Sequence, residues 1–249
     1  MLAVQSMTRT FGGVTAVADV SFEVRKGHVH AVIGPNGAGK TTLFNLITGV
    51  YVPSSGRVML EGRDITGSPP DRLARLGVSR TFQNLQVCMN MTALENVMLG
   101  AHLHAPSSLW AGMLGLTRHR DAQLRDQARA LMERVGVGEF LDAHATQLSF
   151  GVLKRLEIAR ALAAKPSLLL LDEPAAGLND SETHEMTGLI RQIAADGVTV
   201  LLVEHDMKMV MSISDHIVVL DQGRKLAEGT AAQVSSNPDV VAAYLGSEE

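Results

Sequence analysis

The octapeptide Gly34-Pro35-Asn36-Gly37-Ala38-Gly39-Lys40-Thr41 constrains this chain more than any other stretch. It fills every fixed position of the phosphate-loop pattern G-x-x-x-x-G-K-[ST]. Its flanks agree with that pattern. Residues 28–33 (HVHAVI) read as a short strand, and residues 41–48 (TTLFNLIT) as a helix stopped by Gly49. Strand, glycine loop and helix bring backbone amides and the positive end of a helix against a polyphosphate. Lys40 then adds a mobile charge for the outer phosphates, and the Thr41 hydroxyl a ligand for Mg²⁺. A nucleotide site is the expectation.

Composition narrows the partners. The 249 residues suffice for one domain, or a domain with a subdomain. A net charge of −4 without a long basic run argues against nucleic acid. Cys88 is the only cysteine, which excludes an internal disulfide and reads as a small buried or loop residue. The start, MLAVQSMTRTFGG, lacks the charged-then-apolar order of a secretory signal. No apolar run approaches the ~20 residues that span a bilayer. The chain is expected to be soluble and suited to the cytosol, with any membrane role coming through partners.

In chain order, residues 1–33 alternate in short segments, at Ala3-Val4, 14–17, 20–24 and 28–33, and predict antiparallel or mixed strands. Phe11, before the Gly12-Gly13 turn, either stacks on an adenine face or fills the core. Beyond the phosphate loop, 57–60 reads as a strand, 61–64 as a tight turn, 71–76 as a short helix and 78–82 as strand-like. Residues 84 to about 145 change character. Thr92 and Glu95 form a capping-box pattern, and 121–135 is helical with Leu124, Ala128, Leu131 and Val135 on one face. This region reads as a helical insertion into an α/β core, with the Trp110 segment (110–116) as subdomain core or docking surface. From 148 onward the α/β order returns: helix through 164, strand 167–171, helix 182–195, strand 198–203, helix 207–214, strands 217–220 and 225–228, and a C-terminal helix.

The strand 167–171 delivers Asp172 and Glu173 at its C-terminal end, where ligands bind in open α/β sheets. Asp172 suits the Mg²⁺ shell, and Glu173 can polarise an attacking water. His205 also follows a strand and would reach the same sheet edge, where an imidazole can bond the terminal phosphate. Ser149 heads a helix as N-cap with Phe150-Gly151 behind it, which makes a second anion-binding end. A second subunit packed head to tail could bring that end onto a bound phosphate.

With these elements in place, the chain resembles the ATP-binding-cassette ATPases along essentially its whole length. The phosphate loop, the L-S-x-G segment, the L-L-L-L-D-E strand and the histidine stand in that family's order. The resemblance implies an α/β P-loop NTPase core of mixed sheet flanked by helices, with an antiparallel β subdomain and an inserted α-helical subdomain. It implies a single nucleotide-binding domain, with residues 1–83 and 146–249 as the ATP-binding core. Phe11 becomes the adenine-stacking aromatic, and Gly34 to Thr42, including Thr42, the phosphate loop. Gln83 becomes the glutamine that senses Mg²⁺ and the membrane subunit, and Ser149 and Gly151 contact the ATP of the opposite subunit. Asp172 becomes the Mg²⁺-shell carboxylate, Glu173 the general base and His205 the switch histidine.

Narrower motifs resemble the branched-chain amino-acid importer ATPases: S-R-T-F-Q-N at 79–84, E-P-A-A-G-L-N at 173–179, E-H-D-M at 204–207, and the ending G-T…N-P…Y-L-G. That resemblance implies a paralogous ATPase, two membrane permeases and a periplasmic solute-binding protein as partners. Val152 stands where the signature usually continues with Gln, Phe150 holds its third position, and Asn179 replaces a frequent Asp. Other cargoes, such as urea, another polar solute or lipopolysaccharide in export, remain open at this level. A non-transport cassette usually carries two cassettes, a long coiled coil or a basic face, and a non-hydrolysing regulator is disfavoured by the intact Glu173 and His205.

Overall fold

The computed structural model describes residues 1–82, 85–101 and 117–245. Alternating burial along the first residues builds two long antiparallel strands, β1 (Leu2–Phe11) and β2 (Val14–Val24). The sequence suggests several shorter segments here. Left-handed residues at Ser6 (φ 45°) and Asp19 (φ 53°), with register shifts along the ladder, interrupt the alternation without ending either strand. β4 (Ser55–Leu60) pairs with β1, and the expected turn at 61–64 closes a hairpin onto β5 (Arg63–Asp64). The resulting antiparallel sheet has the order β2-β1-β4-β5.

A second sheet carries β3 (Val29–Ile33), β6 (Val78–Arg80), β7 (Leu168–Asp172), β8 (Thr199–Val203), β9 (His216–Asp221) and β10 (Arg224–Gly229). Its order is β10-β9-β3-β8-β7-β6, parallel except for β10. Every residue of β3, β7 and β8 is buried, as continuous apolar runs in a covered parallel sheet require. The pleat divides them. Ile33, Leu169, Leu171, Val200 and Leu202 enter one hydrophobic cluster, shared with most of the helices. Val32, Leu168, Leu170, Leu201 and Val203 enter the other, between this sheet, the antiparallel sheet and α1 (Lys40–Ile47).

Among the helices, α2 (Pro70–Arg75) precedes β6, and α3 (Ala93–Gly100) opens with the Thr92–Glu95 capping box. α4 (Thr117–Arg134) covers the stretch expected from periodicity up to one residue short of Val135, and α5 (Phe150–Ala163) is capped by Ser149. Val97 of α3, Met132 of α4 and Leu156 of α5 share the cluster that reaches Ile33 and Leu171. α6 (Asp180–Ala195) begins at an Asn179–Glu182 capping box, and α7 (Met207–Ile213) follows β8. The single C-terminal helix expected from the sequence is two, α8 (Ala231–Ser235) and α9 (Pro238–Leu245). Pro238 cannot extend a preceding helix but opens a new one well. The Trp110 segment lies outside the described residues.

Candidate functional site

Neighbouring parallel strands bring the site residues to one sheet edge. Val32 of β3 lies opposite Val203 of β8, and Val203 lies opposite Asp172 of β7. Immediately past that row the chain leaves the sheet at Gly34, at Glu204-His205 and at Glu173. The phosphate-loop sequence, the paired carboxylates and the histidine therefore start from adjacent strand ends.

The glycines of the loop are dictated by space and by backbone angle. Gly34 has φ 152°, and a Cβ there would sit 2.1 Å from the Leu220 carbonyl oxygen. Gly39 has φ 97°, and its Cβ would meet the Ala16 oxygen at 2.5 Å. The Lys40 ammonium folds over the loop and donates to the Gly34 and Pro35 carbonyls at 2.6 and 2.9 Å. Burial lowers the Lys40 pKa, while the negative charge of Glu173 pulls it back up. Thr41 is exposed and Thr42 half-buried at the head of α1, and Pro35, Asn36 and Gly37 line the open side. Ala38 is buried, with its amide on the Pro35 oxygen at 3.2 Å.

Glu173 takes a left-handed backbone, φ 49°, unusual for a residue with a side chain. Three bonds hold it there. Its amide donates to Val203 O at 2.9 Å, and its carbonyl accepts from Lys154 Nζ at 3.0 Å and from the Ala176 amide at 3.2 Å. Asp172 is buried and bonded through Oδ2 to Arg80 at 2.7 Å, and its amide donates to Thr81 Oγ1 at 3.3 Å. His205 points outward, its side chain 65% exposed, with its amide on the buried Glu204 carboxylate at 2.9 Å. The other oxygen of Glu204 accepts from the Ala175 amide at 2.7 Å. Glu204 thus ties the loop after Glu173 to the histidine.

The helix start expected at Ser149 is also formed. Ser149 caps α5, its hydroxyl accepting from the Val152 amide at 3.4 Å. A Cβ at Gly151 would lie 2.5 Å from Glu182 Oε1, and one at Gly177 would lie 2.9 Å from the Phe150 ring. The head of α5 therefore packs on the loop that follows Glu173. Phe11 stands outside the core at the β1–β2 hairpin, 39% exposed, with its ring edge-on to Tyr51 and under the Arg9 guanidinium. Gln83 lies outside the described residues.

Comparison with known proteins agrees with this geometry. The ABC transporter family model matches residues 17–176. The chain belongs to the ABC transporter family. A model described as branched-chain amino acid ATP-binding cassette transporter matches residues 224–249. The high-affinity branched-chain amino acid transport ATP-binding protein BraF of Pseudomonas aeruginosa is 47% identical over 99% of this chain and 98% of its own length. LivG of Escherichia coli K12 is 44% identical over the same shares. Among solved structures, the ADP conformation of an ATP-binding cassette aligns with a TM-score of 0.87 at 34% identity, covering 99% of this chain and 98% of that one. A dimeric bacterial ABC transporter cassette aligns at 0.80 and 25% identity, covering 93% and 99%.

As an ABC ATPase, the chain carries groups at its site that the sequence leaves without a role. Arg80 bonds Asp172, Asn45 Oδ1 at 2.7 Å and Thr48 Oγ1 at 2.9 Å, so β6, α1 and β7 meet at one guanidinium. Lys154 and Glu157 are buried at 4% and 2% on an otherwise apolar side of α5. Charged residues inside the L-K-R-L-E-I-A period are the one signal that could have pointed to them. Among the described residues no helix is long and apolar enough to cross a membrane.

Proposed function

We propose that this cassette is the ATP-hydrolysing subunit of an importer that energises uptake of branched-chain amino acids. Likeness to BraF along nearly the whole of both chains is the observation that carries the cargo class. Two cassettes, this one and a paralogue, close on two ATP molecules at the cytoplasmic face of the membrane, beneath two permease subunits fed by a periplasmic binding protein. Residues 84–145 act as the helical subdomain of a core made by 1–83 and 146–249. A cavity of about 390 Å³ between Val50, Leu73, Phe82 and Leu99 supports permease contact on that side.

In the reaction, Lys40 leaves the Gly34 and Pro35 carbonyls and turns to the outer phosphates, which the loop amides cradle. Glu173 accepts the proton of the attacking water, held by a backbone that packing already over-determines. His205 bonds the γ-phosphate, Phe11 stacks on adenine, and the partner's signature hydroxyl and amides neutralise the charge that develops. The oxygen donors Thr41, Gln83 and Asp172 suit a hard cation, and Arg80 holds the Asp172 carboxylate in place at the sheet edge through Oδ2. Mg²⁺, when bound, neutralises charge on the phosphate oxygens.

Uptake of labelled leucine in cells deleted for this gene tests the cargo. Loss on deletion, with rescue by the wild type, is expected. Unchanged uptake in a strain without a second leucine importer would overturn the cargo and leave the ATPase.

A further inference from the structure

α5 carries three charged side chains spaced three residues apart, Lys154, Glu157 and Arg160, along one line of the helix. Lys154 and Glu157 on that line are buried, and Arg160 is half-buried. Lys154 Nζ donates to the carbonyl of Glu173 at 3.0 Å. Glu157 Oε1 accepts from the amides of Phe82 at 3.3 Å and Gln86 at 3.4 Å. Arg160 Nη1 donates to the carbonyl of Gln86. The head of the same helix is Ser149, Phe150 and Gly151.

Burying a carboxylate is costly, and an apolar residue at 157 would pack α5 against its neighbours without that cost. What the carboxylate adds is a fixed position for two main-chain donors on either side of Gln83. Burial raises the Glu157 pKa, while the two amides and the charges of Arg160 and Lys154 oppose that rise. Lys154, likewise, spends its buried ammonium on a main-chain oxygen, that of the residue with the left-handed backbone.

We propose that Lys154, Glu157 and Arg160 are positioning residues that make α5 a strut. It carries the position of the Ser149–Gly151 head, set by the partner's ATP, to the Glu173 backbone and to Phe82 and Gln86. This rests on the reading of Glu173 as base and of Ser149 and Gly151 as contacts to the opposite nucleotide. The strut makes each subunit's water-activating carboxylate depend on whether its own signature end is engaged.

The test uses the full chain with Glu157→Leu, Glu157→Gln and Arg160→Met. Amide hydrogen exchange is read at Phe82 and Gln86, affinity with a fluorescent ATP analogue, and kcat and KM from steady-state hydrolysis. Glu157→Leu is expected to speed exchange at both amides about tenfold and to lower kcat about tenfold, with nucleotide affinity kept within about twofold. Glu157→Gln, whose amide oxygen still accepts, should restore kcat to within about threefold of wild type. If Glu157→Leu does not fold, Arg160→Met, at a half-buried site, is read for the same faster exchange at both amides and the same kcat loss. Faster exchange with unchanged kcat, or a Glu157→Gln variant as poor as Glu157→Leu, would overturn the strut. A Glu173→Gln variant that hydrolyses normally would instead overturn the site reading on which it rests.

Discussion

Arg80 and Asp172 form a buried ion pair 2.7 Å apart, with side chains only 7% and 4% exposed, between the strand that precedes Gln83 and the strand that ends at Asp172 itself. The guanidinium also lies over the rings of Phe44 and Phe82, at 5.7 and 5.1 Å from their centroids. Removing the arginine leaves a buried carboxylate without its charged partner. Arg80→Met should therefore cost about 3–5 kcal/mol of stability in urea unfolding. A loss below about 1 kcal/mol would mean that Asp172 does not need this partner.

The two inner glycines of the phosphate loop separate strain from collision. Gly37 has φ 79° and open space around a Cβ, whereas Gly39 has φ 97° and the Ala16 oxygen 2.5 Å from a Cβ. Gly37→Ala should destabilise by about 1–2 kcal/mol, the cost of a left-handed alanine. Gly39→Ala should cost clearly more and weaken ATP binding with it, because β2 must shift away. Equal costs in parallel denaturation curves would refute that ordering.

Lys40 rests on its own loop's carbonyls, so it has partners to exchange for a phosphate rather than an empty site to fill. Lys40→Ala is expected to weaken binding of a non-hydrolysable ATP analogue by about tenfold or more in calorimetry, with little effect on the unfolding midpoint. Unchanged affinity would count against the loop as the phosphate site.

His30 makes the chain acid-sensitive near the start of β3, at the opposite end of that strand from the loop. It is buried, its Nε2 accepts the Arg25 amide at 2.9 Å, and burial lowers its pKa from 6.5 to about 4. His216, His28 and Arg25 lower it too, while Asp215 opposes them. The folded state therefore binds fewer protons than the unfolded state between those values. The stabilisation is complete above pH 6.5 and is lost as pH falls towards 4. Up to about 3 kcal/mol is at stake. His30→Gln, which keeps an acceptor for Arg25, should flatten the fall of the unfolding midpoint over that window. An unchanged slope would show that other groups set it.

What was legible in the sequence is what is local. The phosphate loop with its strand and helix, the apolar strand ending in Asp172-Glu173, and the capped helix starts at Thr92 and Ser149 are patterns of a few neighbouring residues. The shared sheet edge of Asp172-Glu173 and His205 was legible, but the individual side-chain pairings between distant segments were not. Arg80 meets Asp172 across 92 positions, Glu204 meets Ala175 across 29, and Lys154 meets Glu173 across 19. None of these pairs has a spacing that a helix or strand period would reveal. The long β1–β2 ladder was hidden for another reason: its left-handed residues break the two-residue alternation by which strands are read.

In the proposed reaction, Glu173 activates water on an ATP held by the Gly34–Thr41 loop. Steady-state hydrolysis by Glu173→Gln, with ATP binding measured on the same preparation, tests it most directly. Binding within about twofold of wild type and turnover lowered about a hundredfold or more is the predicted result. Hydrolysis at the wild-type rate with ATP bound normally would contradict it.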